Sequence, residues 1–323
     1  MFIEKKLKKE YEWAAGELKS DPALDNRIKF AIRQELAGGK QQKKGLRPKL
    51  THVAAVFVLL TGFGFSTQTL LYKVDEGAVH MEVQAHKEFA LTRITPEEIR
   101  RELTNAENTL ATGETAVVYF AELAKEKHPI FQQNPVIGVE KPEVVLDWKQ
   151  WNAVHEKAAP LPSMPKQLSD HFAFREGKLG TPFGVMVGQE GYEWLQELQA
   201  KSRETGKSVV WKVVPKTESP IDAYTTLYQN EQNERIYVTV EVLPKDQVNV
   251  QVSTPETTTY VPVEVNGKKA HYTKNDQFLF SESHQYQELS WVGKAGEQTI
   301  MYRVASDSPT VTKAMLQQAA SQF

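Results

Sequence analysis

The longest hydrophobic stretch in the chain runs from Val53 to Leu71 and contains no charged side chain. A helix of this length would be roughly 28 Å long, which matches the hydrocarbon thickness of a bilayer. The stretch therefore predicts one transmembrane helix over 53–71. Its second half, which contains Gln68 and several Thr and Gly residues, also fits a buried helix of a soluble protein.

The charges on either side of this stretch predict its orientation. Five basic side chains lie between Lys40 and Lys49, whereas Lys73 alone stands close on the other side and is followed by Asp75 and Glu76. The positive-inside rule then predicts a cytoplasmic N-terminus, an extracellular C-terminal domain and localisation to the cell membrane.

Residues 1–50 show helical periodicity. Apolar side chains recur at three- and four-residue intervals from Ile3 to Leu18, and again after the break at Ser20-Asp21-Pro22. Two helices this short cannot bury both apolar stripes against each other. We therefore expect one stripe to bind a partner, which is another protein, a second copy or the membrane surface. The predicted partner-binding side chains are Leu24, Ile28 and Ile32. The alternative is a segment that only anchors the chain.

Residues 73–142 mix strand and helix patterns. Apolar and polar residues alternate from Val79 to Val83, which predicts a strand. Thr95-Pro96-Glu97-Glu98 is a capping box with proline at the first helical position, so a helix should begin there and end at Gly113. A strand is predicted over 115–121. These elements predict a membrane-proximal extracytoplasmic α+β region over 73–142.

Residues 143–323 are dominated by strand patterns, after a helix that carries Trp148 and Trp151. Asn266-Gly267 joins two alternating runs, which is the strongest local signal for a hairpin. A second hairpin is predicted over 289–304, and Ser308-Pro309 should open a final helix. The short connections predict an antiparallel sheet with packed helices. The predicted fold class is therefore α+β, with a short cytoplasmic helical segment, one transmembrane helix and this extracytoplasmic sheet domain.

The order helix, Thr-Gly, strand occurs twice, over 99–120 and 195–214. The two segments are short, so the sequence leaves open whether they form an internal repeat.

Composition narrows the classes of function. The chain has no cysteine, which excludes disulfides, thiol nucleophiles and thiolate metal sites; a cysteine-free exterior of this size is typical of a bacterial surface protein. A pI near 6.5 argues against nucleic-acid binding by the exterior. The basic residues 40–49 fit a topology signal and a contact with anionic lipid.

The search for catalytic patterns predicts no enzyme, no cofactor and no metal site. Ser163-Met-Pro-Lys166 matches the S-x-x-K motif, but Pro165 is incompatible with the helix that would bring the lysine to the serine. His155-Glu156 lacks the second histidine of H-E-x-x-H. His80 and His86 would lie roughly 20 Å apart on an extended strand, too far for one ion.

The tryptophans allow a further interpretation. A surface rich in aromatic residues would bind a wall polymer, either saccharide or peptide, whereas aromatic residues at regular helix or strand spacing are more typical of a core. The residues concerned are Trp148, Trp151, Trp194, Trp211 and Trp291.

Several segments in the second half of the chain occur in an order that matches a known family. They are Leu161-Pro162, His171 to Gly180, Val265 to Ala270, Leu289-Ser-Trp291, Tyr302 and the closing helix over 310–320. Residues 143–323 thus resemble the extracytoplasmic domain of unknown function 4367 of membrane-anchored, anti-sigma-factor-like proteins in Gram-positive bacteria. The zinc-type anti-sigma signature, His-x3-Cys-x2-Cys, is absent because the chain has no cysteine.

The resemblance implies a single-pass membrane regulatory protein of the bacterial cell envelope that acts in signal transduction. Its extracytoplasmic domain would be the sensor, and its cytoplasmic helices would bind a protein such as a sigma factor. The alternative is a non-catalytic cell-surface module that binds wall polymer or an envelope protein, with residues 1–50 only an anchor.

Overall fold

A computed structural model describes residues 68–76, 79–126, 128–131, 135–157, 161–168, 171–184, 190–216, 221–244 and 248–323. The predicted partner-binding residues Leu24, Ile28 and Ile32 lie outside the described residues, as does all of 1–50. The elements are β1 (Gln68–Glu76), β2 (Val79–His86), α1 (Pro96–Thr109), β3 (Thr115–Phe120), β4 (Val136–Glu140), β5 (Val144–Val145), α2 (Trp148–Lys157), β6 (Ala173–Leu179), α3 (Glu190–Thr205), β7 (Val209–Val214), β8 (Asp222–Gln229), β9 (Arg235–Leu243), β10 (Val248–Pro255), β11 (Thr259–Val265), β12 (Lys268–Asn275), β13 (Tyr286–Ala295), β14 (Gln298–Ser306) and α4 (Lys313–Ala320).

The predicted fold class needs correction. Of the described residues, 44% are in strands and 21% in helices, so the fold is mainly β. The transmembrane helix over 53–71 is wrong, because its last residues belong to β1: Thr69 pairs with Ala85 and Leu70 with Gln84 of β2. The predicted single-pass membrane topology depended on this helix and is therefore wrong as well. Residues 53–67 lie outside the described part.

Among the residues that the structure describes, no helix combines the length and the apolar character that a membrane crossing requires.

An eight-stranded antiparallel sheet, called the large sheet, forms the centre of the described region. Its strand order is β11-β12-β13-β14-β9-β8-β6-β5. Both predicted hairpins are confirmed: Val265 pairs with Lys268 across the Asn266-Gly267 turn, and Trp291 pairs with Tyr302. Asn266 and Gly267 have φ values of 50° and 75°, the left-handed geometry that a two-residue hairpin turn needs.

One face of the large sheet is apolar and is covered by α2 and α4. Helix α2 packs on β6, and α4 packs on β13 and β14. Val238, Leu289 and Trp291 point into this core, where each is at most 3% exposed. Helix α4 begins at Lys313, later than the predicted Ser308-Pro309 start, because the Thr312 side chain caps it.

Helix α2 is anchored through two side chains. The Trp151 indole lies on Gly177, where an added Cβ would come within 2.0 Å of a ring carbon, and its Nε1 donates to Thr226 Oγ1 at 2.7 Å. Asn152 Oδ1 accepts from the Met164 backbone N at 2.8 Å, and its Nδ2 donates to the Met164 carbonyl at 3.1 Å. The amide of Asn152 therefore holds the connection that follows α2.

A three-stranded sheet, β1-β2-β10, packs on the opposite face of the large sheet. Strands β2 and β10 run parallel, with Val79 paired to Val248 and Pro255 to His86. Tyr72, Val74 and Met81 form an apolar cluster with Val292 and Met301 of the large sheet. The strand after β9 thus pairs with the second strand of the described chain.

A second three-stranded sheet, β4-β3-β7, lies between α1 and α3. The predicted capping box is confirmed, because Thr95 and Glu98 bond each other's backbone N–H groups. Both helix–Thr-Gly–strand segments take part: their strands β3 and β7 pair antiparallel, and α1 and α3 pack on opposite faces of the sheet. Both small sheets draw strands from either side of residue 142.

Candidate functional site

The most unusual feature of the described region is a set of buried charges on the face of the large sheet opposite α2 and α4. Arg303 Nε donates to Glu241 Oε1 at 3.1 Å, and its Nη1 donates to Glu288 Oε1 at 2.8 Å. Tyr286 donates its hydroxyl proton to Glu288 Oε2 at 2.6 Å. These four residues are called the Arg303 cluster below. Buried charges are retained in proteins only with such partners.

Strand register explains why these groups meet. Arg303 lies directly opposite Thr239 on one side and Ser290 on the other. Glu241 lies two residues after Thr239 and Glu288 two residues before Ser290, in diagonal positions that long side chains can reach. The register line through Arg303 is polar across six strands: Lys178, Thr225, Thr239, Arg303, Ser290 and His271.

The cluster carries one more carboxylate than guanidinium. Burial raises the pKa of Glu241 despite the opposing effect of Arg303. The two carboxylates hold the pKa of Arg303 well above its usual value, although burial acts in the other direction. Burial, followed by the Glu288 charge, likewise raises the pKa of Tyr286. The arrangement therefore keeps the arginine charged and makes Glu241 easier to protonate than an exposed glutamate.

Strand β1 reaches the edge of this cluster through Tyr72. Its ring stacks on Tyr260, with 4.6 Å between ring centroids, and on His271, with 4.4 Å. Ser290, beside Arg303 in the register line, forms a side-chain hydrogen bond with Tyr72, and burial is the main cause of the raised pKa of the tyrosine. Tyr72 thus connects β1 to the polar line.

Aromatic rings cover the other side of the cluster. Phe183 packs edge-on against Tyr237 at 4.9 Å and against Phe278 at 5.0 Å, and Phe278 stacks on Tyr286 at 4.6 Å. Phe280, in the same loop as Phe278, packs into the core between α1 and its sheet. The Arg303 cluster consequently lies where β1-β2-β10, the large sheet and the α1 unit converge.

A second group of buried polar residues lies beside α1. The Glu126 carboxylate accepts from the backbone N–H groups of Thr92 and Arg93 and from the Thr92 hydroxyl. His128 is packed between Phe89 and Phe131, and burial lowers its pKa to about 3. These contacts fix the turn that enters α1, which is a structural role.

The residues weighed for catalysis in the sequence make structural contacts in α2 and in the connection that follows it. His155 is buried against Trp151 and Tyr224, and burial lowers its pKa to about 4. Ser163 donates to Asn152 Oδ1 at 3.3 Å in the connection after α2. Within the described ranges, no three His, Asp or Glu side chains converge as ligands for a metal ion.

The tryptophans do not form one surface. Trp151 and Trp291 belong to the core under α2 and α4, Trp211 packs toward α1, and Trp194 packs on the opposite face of β4-β3-β7. Trp148 donates its Nε1 to the Met164 carbonyl at 2.8 Å. The aromatic residues are therefore distributed among separate cores.

Sequence reasoning missed the Arg303 cluster, although a signal was present. Arg303 and Glu241 each stand within a run of apolar and β-branched residues, and Glu288 directly precedes Leu289-Ser-Trp-Val292. Single charges of opposite sign in neighbouring buried strands indicate an internal ion pair, because an isolated charge there is too costly. The pairing of strands had to be known before the signal could be used.

No family model, curated protein or solved structure matches this chain. The resemblance to the extracytoplasmic domain of anti-sigma-factor-like proteins therefore stays a prediction.

Proposed function

We propose that this is a regulatory protein of the anti-sigma-factor-like kind, without catalytic activity. In this proposal the described region is the sensor, and Leu24, Ile28 and Ile32 bind a protein partner such as a sigma factor. The observation that carries the proposal is the docking of β1, the strand that follows directly on residues 1–67, onto a face of the large sheet that contains buried charges.

The two kinds of contact under β1-β2-β10 differ in how readily they separate. Apolar contacts such as Val74 and Met81 against Met301 lose about 25 cal/mol for each Å² that returns to water. The Arg303 cluster regains hydration when uncovered and keeps its ion pairs, because Arg303, Glu241 and Glu288 all belong to the large sheet. A sheet that rests partly on charges can therefore separate from its neighbour at lower cost than a wholly apolar interface of the same area.

Because β1 directly follows residues 1–67, its separation from the large sheet would be transmitted to that segment. Tyr72 lies only four residues after Gln68, where the described chain begins. A change in the docking of β1 displaces the chain that enters it. The proposal assigns the partner-binding residues to that preceding segment, so sensor and output are joined by one strand.

A second candidate function is favoured by the edge of the large sheet at β5 and β6. Val144, Leu146 and Leu179 are 40%, 67% and 52% exposed there, beside a strand of two residues. Exposed apolar side chains at a sheet edge suit a protein partner. This candidate is a non-catalytic module that binds an envelope protein, with residues 1–50 only an anchor.

Direct titration distinguishes the two candidates. The full-length protein is titrated with each purified sigma factor of its host. We expect one of them to bind with a Kd of about 1 μM or tighter, and Ile28→Asp to weaken it at least about 100-fold, since an unpaired carboxylate in an apolar contact costs several kcal/mol.

Asn26→Asp is the matched control, because it adds the same charge two residues away, and it should leave the Kd within about threefold. If no sigma factor binds and Ile28→Asp changes nothing, the regulatory proposal fails. Loss of envelope-protein binding in Leu146→Asp, with residues 1–50 dispensable, would support the second candidate.

A further inference from the structure

We propose that His271 is a proton-operated latch that holds β1 on the large sheet. The inference rests on the proposed function only for the output that β1 would control. The latch itself is the contact between Tyr72 of β1 and His271 of β12.

The geometry around His271 joins three strands. Tyr72 of β1 stacks on the imidazole with 4.4 Å between centroids and an interplanar angle of 8°. The hydroxyl of Tyr260 of β11 lies 3.1 Å from His271 Nδ1. In the neutral ring with its proton on Nε2, Nδ1 accepts the hydrogen bond of Tyr260. One uncharged imidazole thus serves as a stacking surface for β1 and as an acceptor for β11.

The surroundings of the ring disfavour a positive charge. Burial, and then Lys269 on the same strand, hold the pKa of His271 below its usual value. The other titratable groups that face it or lie next to it are Tyr72 and Glu76 of β1, Tyr260 of β11, Glu288 of β13 and Arg303 of β14.

Three of these groups, Tyr72, Tyr260 and Glu76, oppose the effect of Lys269 without cancelling it. The tyrosine rings attract a cation through their faces, and Glu76 lines the same small cavity as His271 and Lys269. That cavity is about 10 Å³, room for one water molecule at most, so little solvent is available to a charged imidazole.

Protonation would change both contacts at once. Nδ1 would become a donor, so the Tyr260 hydroxyl would have to rotate and accept from it. The protonated imidazole of His271 would be a cation inside the stack, where it is less well hydrated than in the separated state. Acid therefore favours the state in which Tyr72 has left His271, and β1 separates from the large sheet.

Linkage gives the size and the sign of the effect. The histidine of the separated state has its ordinary pKa of about 6.5, and that of the docked state is lower. The docking contribution is therefore full above pH 6.5 and is lost as pH falls toward the docked pKa. In this interval each pH unit raises the separation equilibrium by up to about tenfold.

The experiment measures the distance between β1 and the large sheet by spin labels. The chain has no cysteine, so Lys73→Cys and Lys294→Cys give two specific labels at exposed positions. Pulsed electron–electron double resonance is recorded on the full-length protein between pH 7.5 and 5.0. Near-UV circular dichroism at each pH tests whether the large sheet stays folded.

At pH 7.5 we expect one narrow distance distribution, and at pH 5.0 a second, longer population. His271→Phe keeps an aromatic ring for Tyr72 but cannot be protonated, so it should keep the single population at both pH values. His80→Phe, on the solvent-facing side of β2, should respond as the unmodified protein does. Identical distributions at both pH values, or a His271→Phe protein that still responds, would overturn the proposal.

Lys269→Gln gives an independent measurement if His271→Phe does not fold. Removal of the lysine charge brings the docked pKa closer to 6.5, so the longer population at pH 5.0 should shrink. An unchanged or larger population would contradict the latch.

The outcomes for the two proposals can be told apart. If the protein with its native His271 shows no second distance population at pH 5.0 but binds a sigma factor normally, only the latch is overturned. A working latch in a protein that binds no sigma factor overturns the proposed function alone.

Discussion

The two faces of the large sheet are built from the same strands but are closed in different ways. Under α2 and α4, Leu289, Ile300 and Val304 are completely buried in an apolar core. On the other face, alternate positions of the same strands carry Glu288, Arg303 and Glu241 under β1-β2-β10 and an aromatic loop. Each residue of β13 and β14 faces one environment or the other because side chains alternate along a strand.

The difference between the faces shows which contacts keep their stability when pH changes and which depend on protonation. An apolar face gains stability from burial that varies little with pH or salt near neutrality. A face held partly by ion pairs depends on the protonation of its members and on whether all of them are present. We therefore assign fold stability chiefly to the α2 and α4 face and switching to the other.

The largest effect is expected on the apolar face. Trp151→Ala should lower the free energy of unfolding by about 5 kcal/mol, since it removes a buried indole and leaves the Thr226 hydroxyl without its donor. Urea denaturation measures the change. Trp148→Ala, on the same helix but partly exposed, is the control and should cost roughly half as much. Equal losses would show that Trp151 is not a core residue.

Removal of the arginine tests the charged face. Arg303→Met should cost about 3–5 kcal/mol at pH 7.5, because two buried carboxylates lose their counter-ion. The loss should shrink as pH falls toward 5, since protonation neutralises Glu241, whose pKa burial raises. Combining Arg303→Met with Glu241→Gln and Glu288→Gln should restore stability to within about 1 kcal/mol. A loss that is independent of pH would refute the electrostatic explanation.

Below pH 6.5, the buried His155 is an acid-sensitive exception on the apolar face. Its folded pKa of about 4 lies below the unfolded value of about 6.5, so its stability contribution is present above pH 6.5 and is lost as pH falls through 4. The loss amounts to roughly 3 kcal/mol. His155→Phe should flatten the dependence of unfolding free energy on pH between 6.5 and 4, with His80→Phe as control. Unaltered pH dependence in His155→Phe would exclude His155 as its source.

The smallest effect is expected for the hydroxyl pair in the polar register line. Thr239 and Thr225 hydroxyls lie 3.0 Å apart, and Thr225 donates to the Gly180 carbonyl at 2.7 Å. Thr239→Val should therefore cost about 1 kcal/mol. In a double-mutant cycle with Thr225→Val, the coupling should exceed that between Thr239→Val and the distant Thr95→Ala. Equal coupling would mean that the two hydroxyls do not interact.

Local structure could be predicted from the sequence wherever a side chain itself specifies geometry. Asn266-Gly267 adopts the left-handed conformation that the turn requires, and Thr95 with Glu98 caps α1. Pairing between distant strands could not be predicted. The alternation in Val248 to Val252 identifies a strand, but nothing in it names β2 as the neighbour.

The error over 53–71 has the same origin. A hydropathy window counts apolar residues without regard to backbone conformation, and Val, Phe and Thr in this stretch are also strong strand formers. For Gln68 to Leu70, pairing with β2 decided the outcome. The Arg303 cluster was likewise not predicted. The predicted hairpin over 289–304 pairs β13 with β14, but nothing in the sequence places β9 beside β14.

The parallel pairing of β2 with β10 also determines when the protein can be completed during synthesis. Val79 and its partner Val248 are separated by about 170 residues, which a ribosome adds in roughly 10 to 30 seconds. Until then β2 has an open edge, and so does β3 until β7 emerges. During synthesis, the sheet β1-β2-β10 therefore lacks β10 for a time, and β4-β3-β7 lacks β7. In this interval the open strand edges can bind chaperones or aggregate.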